Sequence, residues 1–395
     1  MKISRRAQAI APFLAMEFGK QAAALEAAGH HVVKLNIGEP DFGAPDTVVR
    51  AMHAALEARH MAYTAALGIP RLRETIARHY EKTYGVRVGA ERIVVTAGAS
   101  AALLLVTAAL VDADDEVLVG DPSYPCNRHF LESFGARVKL VPTDASTRFQ
   151  LSSALVQKHW SDRTRGLMVA TPSNPTGTSV PPHELAAICN WARARGAWRI
   201  VDEIYLGLSD HDASGQGVPT VLSFDRDAIV INSFSKYFGM TGWRLGWCVL
   251  PLDLVPAVER LAQNYYICPS TPAQHAALAC FAEESVAVCE SRRLELASRR
   301  SLVLAGLEQL GLSVPVPPDG AFYVYFSVKN TGLDAMTFCT RALAEAHVAL
   351  TPGADFGKCS ARDHVRLSYA ASQGELREGL RRLGTFVGSL GHPSM

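Results

Sequence analysis

From about residue 90 to residue 250 the chain alternates short apolar runs with longer amphipathic stretches. The runs at 92–95, 116–120, 137–141, 166–170, 198–201, 228–231 and 245–250 read as strands. They are too short for helices, and several are apolar throughout, as strands buried on both faces are. The stretches at 100–111, 127–134, 154–159 and 184–195 read as helices. Strand and helix in alternation predict an α/β fold, with a mainly parallel sheet between two layers of helices. Right-handed crossovers then bring the carboxyl ends of the strands to one edge, where such proteins build their sites.

After about residue 270 the pattern changes. Residues 272–310 are rich in Ala, Leu, Glu and Arg and predict one or two long helices. Alternating runs at 322–328 and 365–370, with a helix at 335–346, predict a smaller α+β domain. A lone strand at 32–37 is expected to pack with it, and 384–395 are expected to fray. The division that follows is 1–45 as an N-terminal arm and part of the small domain, 46–270 as the large domain, and 271–395 as the small C-terminal domain.

Composition narrows the class. The 395 residues are 48% hydrophobic and carry a net charge of +1, with no basic run, which argues against nucleic acid as a partner. The apolar stretch 103–111 is too short to cross a membrane and contains Thr107. Eight scattered cysteines, with no Cys-x-x-Cys pair and no histidine cluster at metal spacing, point to reduced thiols, no metal site and a cytoplasmic protein.

Chemistry concentrates in the loops that follow the expected strands. Ser233-Phe-Ser235-Lys236 precedes a single arginine, Arg244. A lysine amine forms an imine with an aldehyde, and hydroxyls with an arginine hold a phosphate. Together they suggest pyridoxal phosphate. Gly98-Ala99-Ser100 opens straight into a helix; its amides suit a phosphate, although Ser100 equally suits a helix N-cap. Tyr124 between two prolines is either a stacking platform or a packed turn residue. Asn174 lies in a turn that offers an amide at a strand end. Asp202 ends an apolar strand, so its carboxylate needs a positive partner or serves as an N-cap.

In order and spacing, Asn36-Ile-Gly38-Glu-Pro-Asp41, Ser173-Asn174-Pro-Thr-Gly177, Asp202-Glu-Ile-Tyr205, Ser233-Phe-Ser-Lys236 and Arg366-Leu-Ser-Tyr-Ala370 run over nearly the whole chain. On these motifs the protein resembles the fold-type I aminotransferases, the aspartate-aminotransferase-like group of pyridoxal phosphate enzymes. The resemblance implies that Lys236 carries the cofactor and shuttles the substrate Cα proton, and that Asp202 pairs with the pyridine nitrogen. Asn174 and Tyr205 are then partners of the ring's phenolic oxygen, and Tyr124 stacks on the ring. Gly98, Ala99, Ser100, Ser233, Ser235 and Arg244 surround the phosphate. Arg366 grips the substrate carboxylate with help from Gly38 and Asn174. Tyr63 matches a tyrosine that reaches the neighbouring subunit's phosphate, which implies a homodimer with shared sites.

For the substrate the residues say less. Some aspartate-specific relatives place an arginine near 264–270; this chain has none there, and Tyr265, Tyr266 and Phe13 favour a neutral or aromatic amino donor. The resemblance implies 2-oxoglutarate or pyruvate as acceptor. Aspartate transamination and a carbon–sulfur lyase on the same scaffold stay open. A nucleotide-binding protein is set aside for want of a glycine-rich fingerprint or P-loop. A regulator's sensing domain is set aside because too few residues precede Val32 for a DNA-binding module.

Overall fold

The computed structural model describes residues 1–59 and 61–390. In chain order its strands are β1 (Val33–Lys34), β2 (Ile93–Thr96), β3 (Glu116–Asp121), β4 (Arg137–Pro142), β5 (Thr164–Ala170) and β6 (Trp198–Asp202). They continue with β7 (Ile229–Ser233), β8 (Gly246–Val249), β9 (Tyr323–Ser327), β10 (Val348–Ala349), β11 (Thr351–Pro352) and β12 (His364–Ser368). Seven of them form one sheet in the order β2-β8-β7-β6-β5-β3-β4. Strand β8 runs antiparallel to both its neighbours, and the other pairings are parallel.

The sheet is buried on both faces because successive side chains point to opposite sides. Val95, Leu167, Val201, Val230 and Trp247 pack on one side against helices Pro70–Tyr84 and Pro182–Arg193. Val94, Met168, Ile200, Ile231 and Cys248 pack on the other against Ala99–Leu110 and Val255–Tyr265. This is the expected α/β arrangement. Because β8 reverses direction, the ends of β2, β3, β5, β6 and β7 and the start of β8 share one edge.

A second cluster joins the two ends of the chain. Phe18, Val33 and Leu35 pack with Val303, Phe322, Phe326, Phe338, Val365, Leu367 and Phe386. Here β11, β12 and β9 form an antiparallel sheet, and β1 pairs with β10 in parallel.

Three expectations need correction. The strand expected at 32–37 holds a ladder only at Val33–Lys34, because Asn36, Ile37 and Gly38 leave it to line the cleft below. The helical stretch 272–310 is broken: Thr271–Ala277 passes into a 3-10 turn, Leu278–Phe281, and Glu283–Gln309 starts anew after the extended Ala282. The fraying expected from Gly384 does not occur before the end of helix Gln373–Ser389, where buried Phe386 packs edge-on to Phe338 at 5.3 Å. Residues 391–395 lie outside the described residues. Four helices of 11–15 residues were not read from the sequence: Leu14–Ala27, Asp46–Glu57, Pro70–Tyr84 and Val255–Tyr265.

Candidate active site

A cleft of about 400 Å³ opens where the strand ends meet the second cluster. Its walls carry Gly38, Ala99, Ser100, Tyr124, Asn174, Asp202, Tyr205, Ser233, Ser235, Lys236, Arg244 and Arg366. Twelve of the fourteen site residues expected from the sequence therefore converge. Gly98 lies directly beneath, against the Arg244 guanidinium. Tyr63 does not line this cleft and stands 80% exposed on the outer surface.

Lys236 follows β7 by three residues, and its Nζ donates to the Gly38 carbonyl at 2.6 Å. Burial lowers its pKa to about 8. The nearby Glu39 and Asp202 carboxylates oppose that shift, and Arg366 and Arg244 add to it. A larger share of the amine is thus neutral near physiological pH than for an exposed lysine, which favours a nucleophile or proton carrier.

Asp202, the last residue of β6, is buried, with the Ile204 amide donating to its Oδ1 at 3.1 Å. Burial raises its pKa to about 6, against the pull of that amide and of Lys236. Asp202 thus closes a local turn through the Ile204 amide, and among the described residues no cation lies within hydrogen-bond reach of its carboxylate. A cationic ring nitrogen in the cleft would complete it.

At the opposite end the backbone prepares an anion site. Gly98 takes φ +85°, ψ 170°, a region reserved for glycine, and helix Ala99–Leu110 starts there without a side-chain cap. Its first amides are therefore free for a ligand. A Cβ on Gly98 would come within 2.6 Å of Arg244 Nη2. Gly246, paired with both Thr96 and Ser233, lets β8 lie against the same turn: a Cβ there would meet Ala99 N at 2.8 Å. Ser233 Oγ is 2.8 Å from Ser235 Oγ and accepts from the Ser235 amide at 2.9 Å.

The third wall comes from β12. Arg366 is buried; its Nη1 donates to Asn174 Oδ1 at 2.8 Å, and its Nη2 to the Asn36 carbonyl at 2.5 Å and to Thr351 Oγ1 at 3.3 Å. The guanidinium stacks over the Tyr323 ring at 4.5 Å and the Phe356 ring at 4.9 Å. Its Nε has no partner among the described residues. Among the described residues no carboxylate is hydrogen-bonded to this buried charge, so the site suits an anionic ligand.

Sequence reasoning missed Tyr323, whose hydroxyl lies 2.9 Å from that of Tyr205. It also missed the roles of Thr351 and Asn36. Tyr323 sits in an apolar strand pattern and reads there as a core residue; only its pairing with Tyr205 across the cleft reveals it.

A reactive amine, an unpaired acid and a small-residue anion cradle fit pyridoxal phosphate: aldehyde, ring nitrogen and phosphate each find a complement. The unsatisfied Arg366 fits an amino or oxo acid carboxylate. The geometry thus defines an enzyme of the pyridoxal phosphate class, with helices about a mainly parallel sheet.

Residues 30–383 match the family described as aminotransferase class I and II. The chain is 40% identical over 380 residues to valine–pyruvate aminotransferase of Mycobacterium tuberculosis, covering 96% of this chain and 97% of that one. It is 34% identical over 394 residues to aspartate/prephenate aminotransferase of Thermus thermophilus, covering 98% and 99%. A crystal structure of an aminotransferase from Mycobacterium tuberculosis superposes with a TM-score of 0.94 at 39% identity, covering 98% of this chain and all of that one. The chain belongs to the class I and II aminotransferases and is a pyridoxal-phosphate-dependent enzyme that exchanges amino groups between amino acids and 2-oxoacids. Among the described residues no helix is long and apolar enough to cross a membrane.

Proposed function

We propose that this aminotransferase takes a neutral, aliphatic or aromatic L-amino acid as donor and pyruvate as the preferred acceptor, with 2-oxoglutarate the alternative. The observation that carries the reading is the distribution of charge in the cleft. Its cations are Lys236, Arg244 and Arg366, each already committed to amine chemistry, phosphate or α-carboxylate. Phe13, Met16, Ile37 and Tyr124 supply apolar walls, and the added acid, Glu39, repels a second carboxylate. The name of the mycobacterial relative, a valine–pyruvate aminotransferase, supports the same donor and acceptor.

In this reading Arg366 binds the donor's α-carboxylate and fixes the Cα–H bond in one direction. Lys236 Nζ is the base placed to take that proton. Asp202 would pair with the ring nitrogen of bound pyridoxal phosphate, Tyr205 and Asn174 would be partners of its phenolic oxygen, and Tyr124 would stack on its ring. Ser233, Ser235, Arg244 and the amides of Ala99 and Ser100 would hold its phosphate. Bound pyridoxal phosphate supplies the electron sink that makes the Cα–H bond acidic. The exposed Tyr63, remote from its own cleft, supports a homodimer in which it completes the partner's phosphate site.

The test is to incubate the holoenzyme with pyruvate and single amino acids and to measure alanine formed. Valine and other neutral donors are expected to lead. Aspartate as the fastest donor, or ammonia release without alanine, would overturn the reading.

A further inference from the structure

The walls that would meet a donor side chain come from the start of the N-terminal helix: Phe13, Ala15 and Met16 line the cleft. That helix, Leu14–Ala27, begins at Phe13, a residue that cannot cap it, and no side chain within the helix does so. Its first amides are satisfied from the far end of the chain. Leu14 N–H donates to Asp355 Oδ1 at 2.8 Å, and Ala15 N–H to Asp355 Oδ2 at 3.1 Å. A single buried carboxylate thus takes two amides of the first turn, with the helix's positive end on its charge.

Asp355 is itself held in place. It closes the 3-10 turn Gly353–Asp355, and the next residue, Phe356, lies under the Arg366 guanidinium. The Phe356 carbonyl accepts from the Ser123 amide at 2.9 Å. Two residues further on, the amides of Lys358 and Cys359 donate to Asp121 at the end of β3. On the other side, the Ala15 carbonyl accepts from Asn36 Nδ2 at 2.9 Å, and the Asn36 carbonyl accepts from Arg366. The helix start is therefore pinned at two points, one on the Arg366 framework and one on Asp355.

We propose that Asp355 is a positioning residue for donor selection, latching the start of helix Leu14–Ala27 so that Phe13 and Met16 form a fixed wall against the donor side chain. It does not line the cleft. The inference rests on the reading of Phe13 and Met16 as the donor side-chain wall. A donor with a bulky side chain needs that wall, whereas pyruvate, with only a methyl group, does not reach it.

The test compares Asp355→Asn and Phe13→Ala holoenzymes with the parent, using valine, phenylalanine and aspartate as donors and pyruvate as acceptor. Asparagine keeps the shape of the side chain but turns an N–H group toward one of the two helix amides. The expected result for Asp355→Asn is a KM for valine and phenylalanine raised about tenfold, the scale of a lost helix cap. The kcat at saturation, the KM for pyruvate and the absorbance of the bound cofactor should stay as in the parent. A general loosening of the fold would instead lower kcat and weaken pyruvate and cofactor together, and that pattern overturns the proposal. Unchanged donor KM values in Asp355→Asn, with altered ones in Phe13→Ala, overturn the proposal but leave the donor wall standing. No change in either variant removes the wall itself.

Discussion

Asn174 and Arg366 meet across the cleft: the Arg366 Nη1 donates to Asn174 Oδ1 at 2.8 Å. One arrives on the loop after β5 and the other on β12, so this contact ties the central sheet to the second cluster at the wall of the cleft. Of the guanidinium nitrogens only Nε is left without a partner among the described residues.

Arg366→Lys keeps the charge but loses the fork that reaches Asn174, Asn36 and Thr351 together. We expect kcat/KM to fall about a hundredfold or more for donor and acceptor alike, since truncating a buried hydrogen-bonded charge costs about 2–5 kcal/mol. Steady-state kinetics with both substrates check this. A loss confined to one substrate would contradict a shared carboxylate grip.

Asp202→Asn should weaken catalysis yet stabilise the cofactor-free protein. The folded pKa of Asp202 is raised to about 6 from 3.8, so the native state binds the proton more tightly than the unfolded one. Its contribution to stability therefore falls as pH rises from about 4 to 6 and stays low above that. The cofactor-free variant should match the parent in stability near pH 3.5 and exceed it at pH 7, by an amount on the order of 3 kcal/mol. Bound pyridoxal phosphate should reverse the order, because only the carboxylate pairs with a ring cation. Equal melting curves at pH 7 would show that Asp202 is not a stored, unpaired charge.

Cofactor capture is proposed to fall to Lys236. With its pKa lowered to about 8, the cofactor-free protein should take up pyridoxal phosphate at a rate that climbs through pH 8 and levels above it. Glu39 is the strongest group opposing that shift, so Glu39→Gln should move the midpoint lower. Stopped-flow absorbance against pH measures both. A midpoint at or above pH 10 would deny the perturbation. Lys236→Ala should lower turnover by at least about a thousandfold, as expected for a lost proton-transfer group that is also the nucleophile.

Gly98→Ala tests the phosphate cradle. The added methyl would crowd Arg244 Nη2 and force a backbone conformation that costs a non-glycine residue about 1–3 kcal/mol. We expect cofactor affinity to drop about tenfold or more with donor KM little changed, read by fluorescence titration of the cofactor-free protein. Unchanged affinity would move the phosphate elsewhere.

Much of this site was legible because its residues sit where local rules apply. Asp202 ends an apolar strand, Gly98 precedes a helix, and Lys236 follows a strand by three residues; short-range pattern and strand-end logic are enough to list them. Tyr323 was hidden because an inward tyrosine in a buried strand has no local mark distinguishing a packed ring from one whose hydroxyl meets Tyr205. Asp355 was hidden because the amides it caps are 340 and 341 residues away in the chain. The helix Leu14–Ala27 was overlooked for a related reason: lacking a cap of its own, it carries no start signal in the sequence.

By itself the sequence determined the alternation of strands and helices, the order of the loops that bear chemistry, and a set of residues sufficient to hold one cofactor. The first two follow from hydrophobic period and from residue chemistry, both properties of short segments; the set of cofactor residues follows from the resemblance to the fold-type I aminotransferases. Only the tertiary structure decided the distances between segments and the degree to which each charged group leaves water. Those two quantities bring the Lys236 pKa down to about 8, raise that of Asp202 to about 6, and leave Arg366 Nε without a partner among the described residues. Desolvation and Coulomb interactions depend on what surrounds a group in space, and the groups concerned come from opposite ends of the chain.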